Sequence, residues 1–259
     1  MSHPIPTLEY GDDLEAVLEP QIAPVSDVFE FDEKSHVYKL NGKRMTGVTT
    51  VLGVINKPAL VGWAARMAVD HIEAVWRGGV LFSKIGVAEI CAAARVAHTK
   101  KKEAGGTKGT DLHAMVEEYV KDCIAQYQGR AIVPLHQEIQ KFAAWAHDNK
   151  IKFLASEKMF YSKSLFVAGT ADLLFEKDGK RYVGDIKTFK KIWDRTPMFQ
   201  CAGYALLAEE MGEPRFDGYC ILRLSEDGSF EEKWSYDGEG DTKAFLACEE
   251  LYRQLNNWN

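Results

Sequence analysis

The chain has 259 residues, 46% of them hydrophobic and 27% charged, and its formal net charge is −6. A chain of this length can bury a full core without disulfides, and its five scattered cysteines show no Cys-x-x-Cys spacing, which argues against a disulfide framework. No run of eighteen apolar residues occurs, so we expect no membrane span and no membrane partner. The N-terminus lacks a basic-then-apolar signal pattern, which favours the cytoplasm.

The net negative charge is unusual for a protein that binds nucleic acid. The acid is concentrated near the N-terminus, however, where residues 9–33 contain nine Asp or Glu and no Lys or Arg. Residues 100–102 are three lysines, and residues 177–195 are locally basic. Because a polyanion needs a positive groove rather than a positive protein, nucleic-acid binding stays open, with a solvated surface as the alternative for each basic cluster.

The first half of the chain is predicted to be mainly helical. Residues 1–27 are acidic, contain four prolines and show no clear period, so we expect a loosely packed arm. Residues 28–45 are predicted to form strands, with a tight turn at Asn41-Gly42. Glycine pairs at 78–79 and 105–106 are expected to divide the helical region that follows. The helices predicted there cover residues 63–76, 83–103, 110–126 and 134–149.

The second half of the chain is predicted to be mainly strands. Thr196-Pro197 is an N-cap followed by proline at the first helical position, which predicts a helix that runs to about Met211. A closing helix is predicted over residues 241–256. The predicted strands cover residues 152–161, 165–176, 180–188, 216–224 and 229–236. This order predicts an α/β fold with a central mixed sheet flanked by helices and a helical N-terminal half. We expect a single domain over residues 28–259, with a helical part at about 58–150 and a sheet core at about 151–236.

Two aspartates are notable because each interrupts an apolar, β-prone run. Asp172 lies in Ala-Gly-Thr-Ala-Asp-Leu-Leu-Phe and Asp185 in Tyr-Val-Gly-Asp-Ile-Lys-Thr. An ionised carboxylate is costly to bury in such a run unless something compensates its charge. The segment between them contains Asp178-Gly179, which predicts a hairpin that brings the two carboxylates side by side. Lys187 follows Asp185 by two residues and therefore shares its face of the strand.

Two carboxylates and one ammonium on a sheet can hold Mg²⁺ and activate water against a phosphodiester. Mg²⁺ prefers hard oxygen ligands and keeps several waters, so Asp172 and Asp185 would suffice together with a substrate phosphate. Lys187 would orient the attacking water and offset charge in the transition state. The alternative is a structural salt bridge between Asp185 and Lys187 at a sheet edge.

These motifs and three others resemble the PD-(D/E)xK nuclease superfamily. The resemblance is to its RecB-type exonuclease branch, which includes recombination nucleases, Cas4-like proteins and many phage exonucleases, and it covers roughly residues 46–224. The family's Gly-x-x-x-His helix motif is matched at Gly109 to His113, its motif Glu at Glu157, and its Gln-x-x-x-Tyr helix motif at Gln200 to Tyr204. The remaining two segments are Gly169-Thr170-Ala171-Asp172 and Gly184-Asp185-Ile186-Lys187-Thr188.

The resemblance implies a restriction-endonuclease-like core and a set of site residues. The implied catalytic residues are Asp172, Asp185, Lys187 and Glu157. The expected ligands of Mg²⁺ or Mn²⁺ are His113, Asp172, Asp185, Glu157 and the backbone carbonyl of Ile186. The residues expected to contact DNA or support the site are Gln200, Tyr204, Thr170, Thr188 and Lys190.

Several of these residues have simpler alternatives. Glu157 is otherwise a solvated glutamate on an edge strand, His113 a hydrogen-bonded helix histidine facing the core, and Tyr204 a packing residue. Some relatives carry an iron–sulfur cluster held by four cysteines, with a closely spaced C-terminal group that this chain lacks, so no such cluster is expected. No phosphate-binding loop of the Gly-x-x-x-x-Gly-Lys type occurs, so no nucleotide cofactor is expected.

The function that the resemblance implies is a metal-dependent DNA exonuclease in phage or bacterial recombination or repair, in the cytoplasm of a bacterial or phage-infected cell. Its expected partners are DNA with a free end, single-stranded or duplex, and a single-strand annealing or recombination protein. Residues 61–150, placed over the carboxylates, would roof the site and form a channel. One alternative is a Cas4-like end-trimming nuclease, which the missing cysteine group disfavours. The other is a catalytically silent nucleic-acid-binding or scaffold subunit, against which the intact Asp172, Asp185 and Lys187 argue.

Overall fold

The computed structural model describes residues 27–55, 58–77, 84–125, 136–188, 191–192, 194–225 and 229–256, with the backbone alone at 58–59, 77, 84–85 and 102–110. Most of the acidic arm, residues 1–26, lies outside this part of the chain, as do the expected helix break at 78–79 and Lys190.

A small antiparallel sheet is formed by β1 (Phe29–Asp32), β2 (Val37–Leu40) and β3 (Lys43–Arg44). The turn between β2 and β3 has Asn41 at a φ of 52° and Gly42 at a φ of 75°. Positive φ at both central residues is the type I′ geometry that Asn-Gly favours. The predicted hairpin is therefore confirmed.

The large sheet has six strands and is mixed. β5 to β9 lie side by side in chain order and pair antiparallel, except that β7 and β8 are parallel. The strands are β4 (Thr46–Gly47), β5 (Lys152–Ser162), β6 (Val167–Lys177), β7 (Lys180–Lys187), β8 (Gly218–Leu224) and β9 (Phe230–Ser235).

One edge of β6 is divided between two strands. β5 occupies its other edge along nearly the whole length. On the divided edge, the short β4 pairs in parallel with Val167 and Ala168, whereas β7 pairs antiparallel from Leu173 onward. Residues 169–172 belong to neither of these two ladders. The sheet therefore forks at this point, and Asp172 lies in the fork.

Six α-helices occur within the described residues, and five of them pack on the large sheet. One face is covered by α1, α5 and α6, whose apolar side chains pack with Leu174, Val183 and Ile221 of the sheet. The other face is covered by the C-terminal part of α3 and by α4, which pack on Leu173 and Phe175. The helices are α1 (Val48–Val51), α2 (Pro58–Arg77), α3 (Lys84–Ala125), α4 (Gln140–Asp148), α5 (Thr196–Glu210) and α6 (Gly238–Asn256). The structure thus agrees with an α/β fold that has a central mixed sheet flanked by helices.

The predicted break at Gly105-Gly106 is wrong. The backbone of α3 is helical for 42 residues without interruption, so the two helices expected at 83–103 and 110–126 are one. A helical glycine costs about 1 kcal/mol relative to alanine, which packing at both ends of a helix can offset. Here α2 packs along the N-terminal part of α3, and β5 contacts its C-terminal part.

A smaller difference concerns the helix predicted at 134–149, which begins as a 3₁₀ turn over Gln137–Ile139 before α4. Glu157 lies in the middle of β5, in agreement with the strand predicted at 152–161. None of the helices in the described part of the chain has the length and apolar character that crossing a membrane requires.

Candidate metal centre

The hairpin between β6 and β7 brings Asp172 and Asp185 together. Its turn has Asp178 at a φ of 52° and Gly179 at a φ of 74°, the geometry expected of Asp-Gly. Leu173 pairs with Gly184, so the next step of the same register sets Asp172 opposite Asp185. The Ile186 N–H donates a hydrogen bond of 2.7 Å to Asp172 Oδ2. The predicted hairpin is confirmed, and the two aspartates lie at its open end, in the fork.

Asp185 and Lys187 form a buried ion pair. The Asp185 side chain is fully buried, and Lys187 Nζ lies 2.8 Å from its Oδ1 and 2.6 Å from its Oδ2. Only the contact to Oδ1 has hydrogen-bond geometry, so Oδ2 accepts no hydrogen bond from any residue that the structure describes. A buried acceptor in that state is rare and is normally satisfied by water, a ligand or an ion.

Helix α3 and strand β5 add two further ligand-type side chains. His113 Nδ1 lies 3.7 Å from Asp172 Oδ2 and 4.0 Å from Glu157 Oε1. Ligand atoms of His113, Glu157 and Asp172 all lie within 4.8 Å of one another. Two ligand atoms on opposite sides of one Mg²⁺ are separated by about 4.2 Å. Small movements of these three side chains would therefore allow them to coordinate a single cation.

Glu157 has an unusual backbone for a strand residue. Its φ is 48°, in the left-handed region, while its neighbours Ser156 and Lys158 keep their pairing with Leu173 and Ala171. A non-glycine residue in this region costs on the order of 1 kcal/mol, and such strain is concentrated at functional sites. The strained residue stands directly across the ladder from Asp172, next to the acidic cluster.

The electrostatics of the cluster follow from burial. Burial raises the pKa of Asp172, and it raises the pKa of Asp185 to about 6 although the Lys187 ammonium opposes that rise. Burial would lower the pKa of His113, but Glu157 and the two aspartates outweigh it, so the pKa of His113 is raised. Without a cation these groups therefore compete for protons, and a bound divalent cation would remove the conflict.

Gln200 and Tyr204 connect the ion pair to helix α5. Lys187 Nζ donates to Gln200 Oε1 at 3.3 Å, and Gln200 Nε2 donates to the Tyr204 hydroxyl at 2.8 Å. The Tyr204 ring is nearly buried against Gly169, where an added Cβ would lie 2.6 Å from ring atom Cε1. Of the two roles expected for this pair, the contacts match support of Lys187, and the glycine allows α5 to approach β6.

The cluster lies in a cleft of about 810 Å³. Helix α3 contributes His113, Ala114 and Glu117 to its lining, and the small sheet contributes Phe31, Tyr38 and Arg44. Thr170 and Thr188, both expected to contact DNA, line the same cleft. The structure therefore places every predicted site residue that it describes in or beside one cleft.

Several lining residues were not predicted from the sequence. Glu117 follows His113 by four residues, and this helical spacing could have indicated it. Arg44, Phe31 and Tyr38 had no such signal, because only the folded chain brings the small sheet next to β6. The link is a 2.8 Å hydrogen bond between the hydroxyls of Tyr38 and Thr170, which are 132 residues apart in sequence.

No protein-family model matches the chain, and no curated protein matches it with significant similarity. A solved structure described as "Crystal structure of SSO0001" matches at 14% sequence identity with a TM-score of 0.29. The match covers 47% of this chain and 58% of that chain, so this chain spans less than two thirds of the solved one. At this TM-score the likeness carries no argument about fold or function.

Proposed function

We propose that this protein is a Mg²⁺- or Mn²⁺-dependent DNA exonuclease of the RecB-like branch of the PD-(D/E)xK superfamily, built on a restriction-endonuclease-like core. The observation that carries the proposal is the convergence of His113, Glu157 and Asp172, whose ligand atoms all lie within 4.8 Å of one another. Asp185 lies at the open end of the same hairpin as Asp172 and adds a buried carboxylate to this group. A divalent cation is the ligand that these donors suit.

Asp172, Asp185, Glu157 and His113 would hold the cation, together with the backbone carbonyl of Ile186. When bound, the cation would lower the pKa of a coordinated water and polarise the phosphodiester. The donor set of three carboxylates and one imidazole suits Mg²⁺ or Mn²⁺, which prefer oxygen ligands and accept nitrogen. We expect neither an iron–sulfur cluster nor a nucleotide cofactor.

Lys187 supplies a positive charge of fixed position to this reaction. Its ammonium is held between Asp185 and Gln200, and Gln200 is held in turn by Tyr204. A charge that does not reorganise during the reaction stabilises the charge that develops on the scissile phosphate. Thr170 and Thr188 line the cleft and would offer hydroxyls to the sugar-phosphate backbone. Lys190, which lies outside the described residues, is expected from the resemblance to contact DNA as well.

The substrate that suits this cleft is DNA with a free end. α3 bounds the cleft on one side and the small sheet on another, which supports a threaded strand. We infer a cytoplasmic role in recombination or repair, alongside a single-strand annealing or recombination protein.

The direct test is digestion of end-labelled linear DNA by the purified protein. Mg²⁺ or Mn²⁺ should support loss of nucleotides from the ends, and EDTA should abolish it. Asp172→Asn should remove the activity, because it removes a ligand charge. Asp178→Asn is the matched control: Asp178 lies at the other end of the hairpin, 81% exposed, and asparagine suits its turn position. Full activity of Asp172→Asn would refute the site, and DNA binding without any cleavage would indicate a silent subunit.

The need for a free end is tested by comparing linear and circular single-stranded DNA of one sequence, each with Mg²⁺. Linear DNA should be degraded, and the circle should persist at the same enzyme concentration. Rapid cutting of the circle would show an endonuclease with an open cleft, and the exonuclease assignment would have to be withdrawn.

A further inference from the structure

The part of the cleft wall that the small sheet forms is aromatic. Phe31 stacks on Tyr38 with ring centroids 4.6 Å apart. His36 packs edge-to-face against Phe31, with ring centroids 5.1 Å apart. All three residues line the cleft. Tyr38 is buried, Phe31 is half-buried and His36 is exposed. Part of this aromatic surface is therefore accessible from the cleft.

This aromatic wall is hydrogen-bonded to β6, the strand that carries Asp172. The Tyr38 hydroxyl is hydrogen-bonded to Thr170 Oγ1 at 2.8 Å. Thr170 precedes Asp172 by two residues on β6, a distance of about 7 Å along a strand. A polymer that contacts the metal centre therefore reaches the aromatic wall with the next part of its chain.

A cation lines the same cleft as the aromatic side chains. Arg44 on β3 is exposed and lines the cleft, and it forms no ion pair with any residue that the structure describes. Its ladder partner is Lys39 of β2, also exposed, and Glu33 lines the cleft as well, so this part of the wall carries charges of both signs. An arginine and aromatic rings that line one cleft are a combination that can bind a nucleotide, since a ring takes the base and the guanidinium takes the phosphate.

We propose that Phe31 and His36, backed by Tyr38, form a stacking subsite for an unpaired nucleobase, and that Arg44 binds a phosphate of the same strand. The inference rests on the proposed nuclease function and specifies its substrate: the strand inside the cleft is single-stranded. A base inside a duplex has both faces stacked on its neighbours and cannot offer one to a side chain, so a duplex end would have to open for successive bases to enter this subsite. Every base has a π-face, so recognition here is independent of sequence.

The sheet itself supplies a matched control. Phe29 lies on the same face of β1 as Phe31, two residues earlier, and stacks on Tyr161 with ring centroids 4.7 Å apart. It does not belong to the lining of the cleft. Phe29→Leu and Phe31→Leu therefore remove similar aromatic packing, but only Phe31→Leu removes a ring that faces the cleft.

The test measures binding rather than cleavage. Single-stranded oligonucleotides carry one abasic residue at successive positions from each end, and their affinities are measured by fluorescence polarisation with Ca²⁺ in place of Mg²⁺. For the wild-type protein, one position should lose roughly 5- to 100-fold in affinity when its base is absent. Phe31→Leu should bind intact DNA more weakly by a similar factor and should be insensitive to the abasic residue at that position. Phe29→Leu should behave like the wild type.

Two results would overturn the stacking subsite. One is a wild-type protein for which no position is sensitive to loss of its base. The other is a Phe31→Leu variant that keeps the full abasic penalty, since its loss of affinity would then reflect structure alone. Cleavage of linear DNA with Mg²⁺ is scored separately. Cleavage without any abasic effect removes the subsite and leaves the nuclease, whereas an abasic effect without cleavage removes the nuclease and leaves the subsite.

The role of Arg44 is tested by the dependence of affinity on salt. Arg44→Gln should weaken binding of intact and abasic DNA equally and reduce the slope of log affinity against log salt by about 1. Lys43→Gln is the control, because Lys43 is the exposed neighbour of Arg44 on β3 and lies outside the lining of the cleft. An unchanged slope in Arg44→Gln, or an equal change in Lys43→Gln, would refute a phosphate contact by Arg44.

Discussion

For the proposed nuclease, Lys187 is the side chain whose substitution best separates an effect on the reaction rate from an effect on DNA binding. Only 20% of it is exposed, and its ammonium contacts both oxygens of Asp185. Burial would lower its pKa, but Asp185 and Asp172 outweigh that effect, so the pKa of Lys187 is raised. The side chain therefore carries its charge at neutral pH and holds it at one place, which is what a preorganised electrostatic group requires.

Replacing Lys187 with methionine keeps the length of the side chain and removes the charge. The rate of DNA cleavage should fall roughly 10²- to 10³-fold, the usual effect of losing one preorganised group. The Lys187 ammonium also limits the rise in the pKa of Asp185, so the variant should bind metal more weakly. Rates are therefore compared at saturating Mg²⁺, with DNA affinity measured in Ca²⁺.

The control for this variant is Lys180→Met, at the exposed start of the same strand. It should change neither rate nor affinity. If Lys187→Met loses DNA affinity while bound DNA is cleaved at the normal rate, Lys187 anchors a phosphate and takes no part in the chemistry. Thermal unfolding of each variant separates this outcome from loss of the fold.

Residues of the site could be predicted where local rules determine their position. The hairpin turn and the two-residue period of a strand place Asp172, Asp185 and Lys187 together. The left-handed backbone of Glu157 has no counterpart in local sequence, since only contacts of the folded protein hold a glutamate there. The Tyr38–Thr170 hydrogen bond cannot be predicted from the local sequence either, because its partners are brought together by the whole fold.

Among the elements, α3 determines how His113 reaches the metal centre. Its N-terminal part packs on α2, with the ring centroids of Trp63 and His98 6.4 Å apart, and its C-terminal part packs on the sheet through Leu112 and Val116. The uninterrupted backbone helix between them connects these two contacts. The sequence rule that glycine pairs end helices failed here because packing, which the rule does not consider, holds the helix on both sides.

Continuity of α3 has a measurable consequence. If residues 105 and 106 are helical, replacing both glycines with alanine should raise the free energy of unfolding by about 1–2 kcal/mol, because alanine is the better helix former. Urea unfolding measures the difference. A lower stability would show that the chain needs the freedom of glycine there, and the helix would then be divided. Gly42→Ala is the control of opposite sign: Gly42 has a φ of 75° and open space around it, so the variant should lose stability through its backbone alone.

Over the molecule as a whole, the elements were more predictable than their assembly. The short turns follow local rules, and the structure has them where expected. The helix expected to be capped by Thr196 begins one residue earlier, with Arg195 at the N-cap and no side-chain cap, so that N-cap assignment is wrong. The fork in the sheet depends on β4, a strand of two residues that no periodicity can reveal. It pairs with β6 across more than one hundred residues of intervening chain, and such pairing depends on the order in which the whole sheet assembles.

One carboxylate outside the metal centre connects several elements. Glu213 follows α5 and is bound by Lys158 of β5 at 2.6 Å and by Arg181 of β7 at 2.7 Å. Arg181 also donates to the carbonyl of Pro214 at 2.9 Å. The hydrogen bond from Lys158, followed by that from Arg181, holds the pKa of Glu213 below its usual 4.5. The carboxylate thereby attaches the end of α5 to two strands of the sheet.

A lowered pKa in the folded state predicts the direction of a pH effect. The charge of Glu213 contributes stability above the unfolded pKa of about 4.5, and this contribution is lost as pH falls through the lower folded pKa. Glu213→Gln should therefore reduce the free energy of unfolding at pH 7 by about 0.5–1 kcal/mol, the scale of a partly exposed ion pair. The difference in free energy of unfolding between the variant and the wild type should persist down to about pH 5 and disappear as the pH falls below 4.5. Urea unfolding at pH 7, 5 and 3.5 measures this difference. Glu30→Gln, an exposed residue of β1, should follow the wild type throughout. A gap that stays constant down to pH 3.5 would mean that the substitution acts through packing, and the ion pair would then contribute nothing to holding α5 on the sheet.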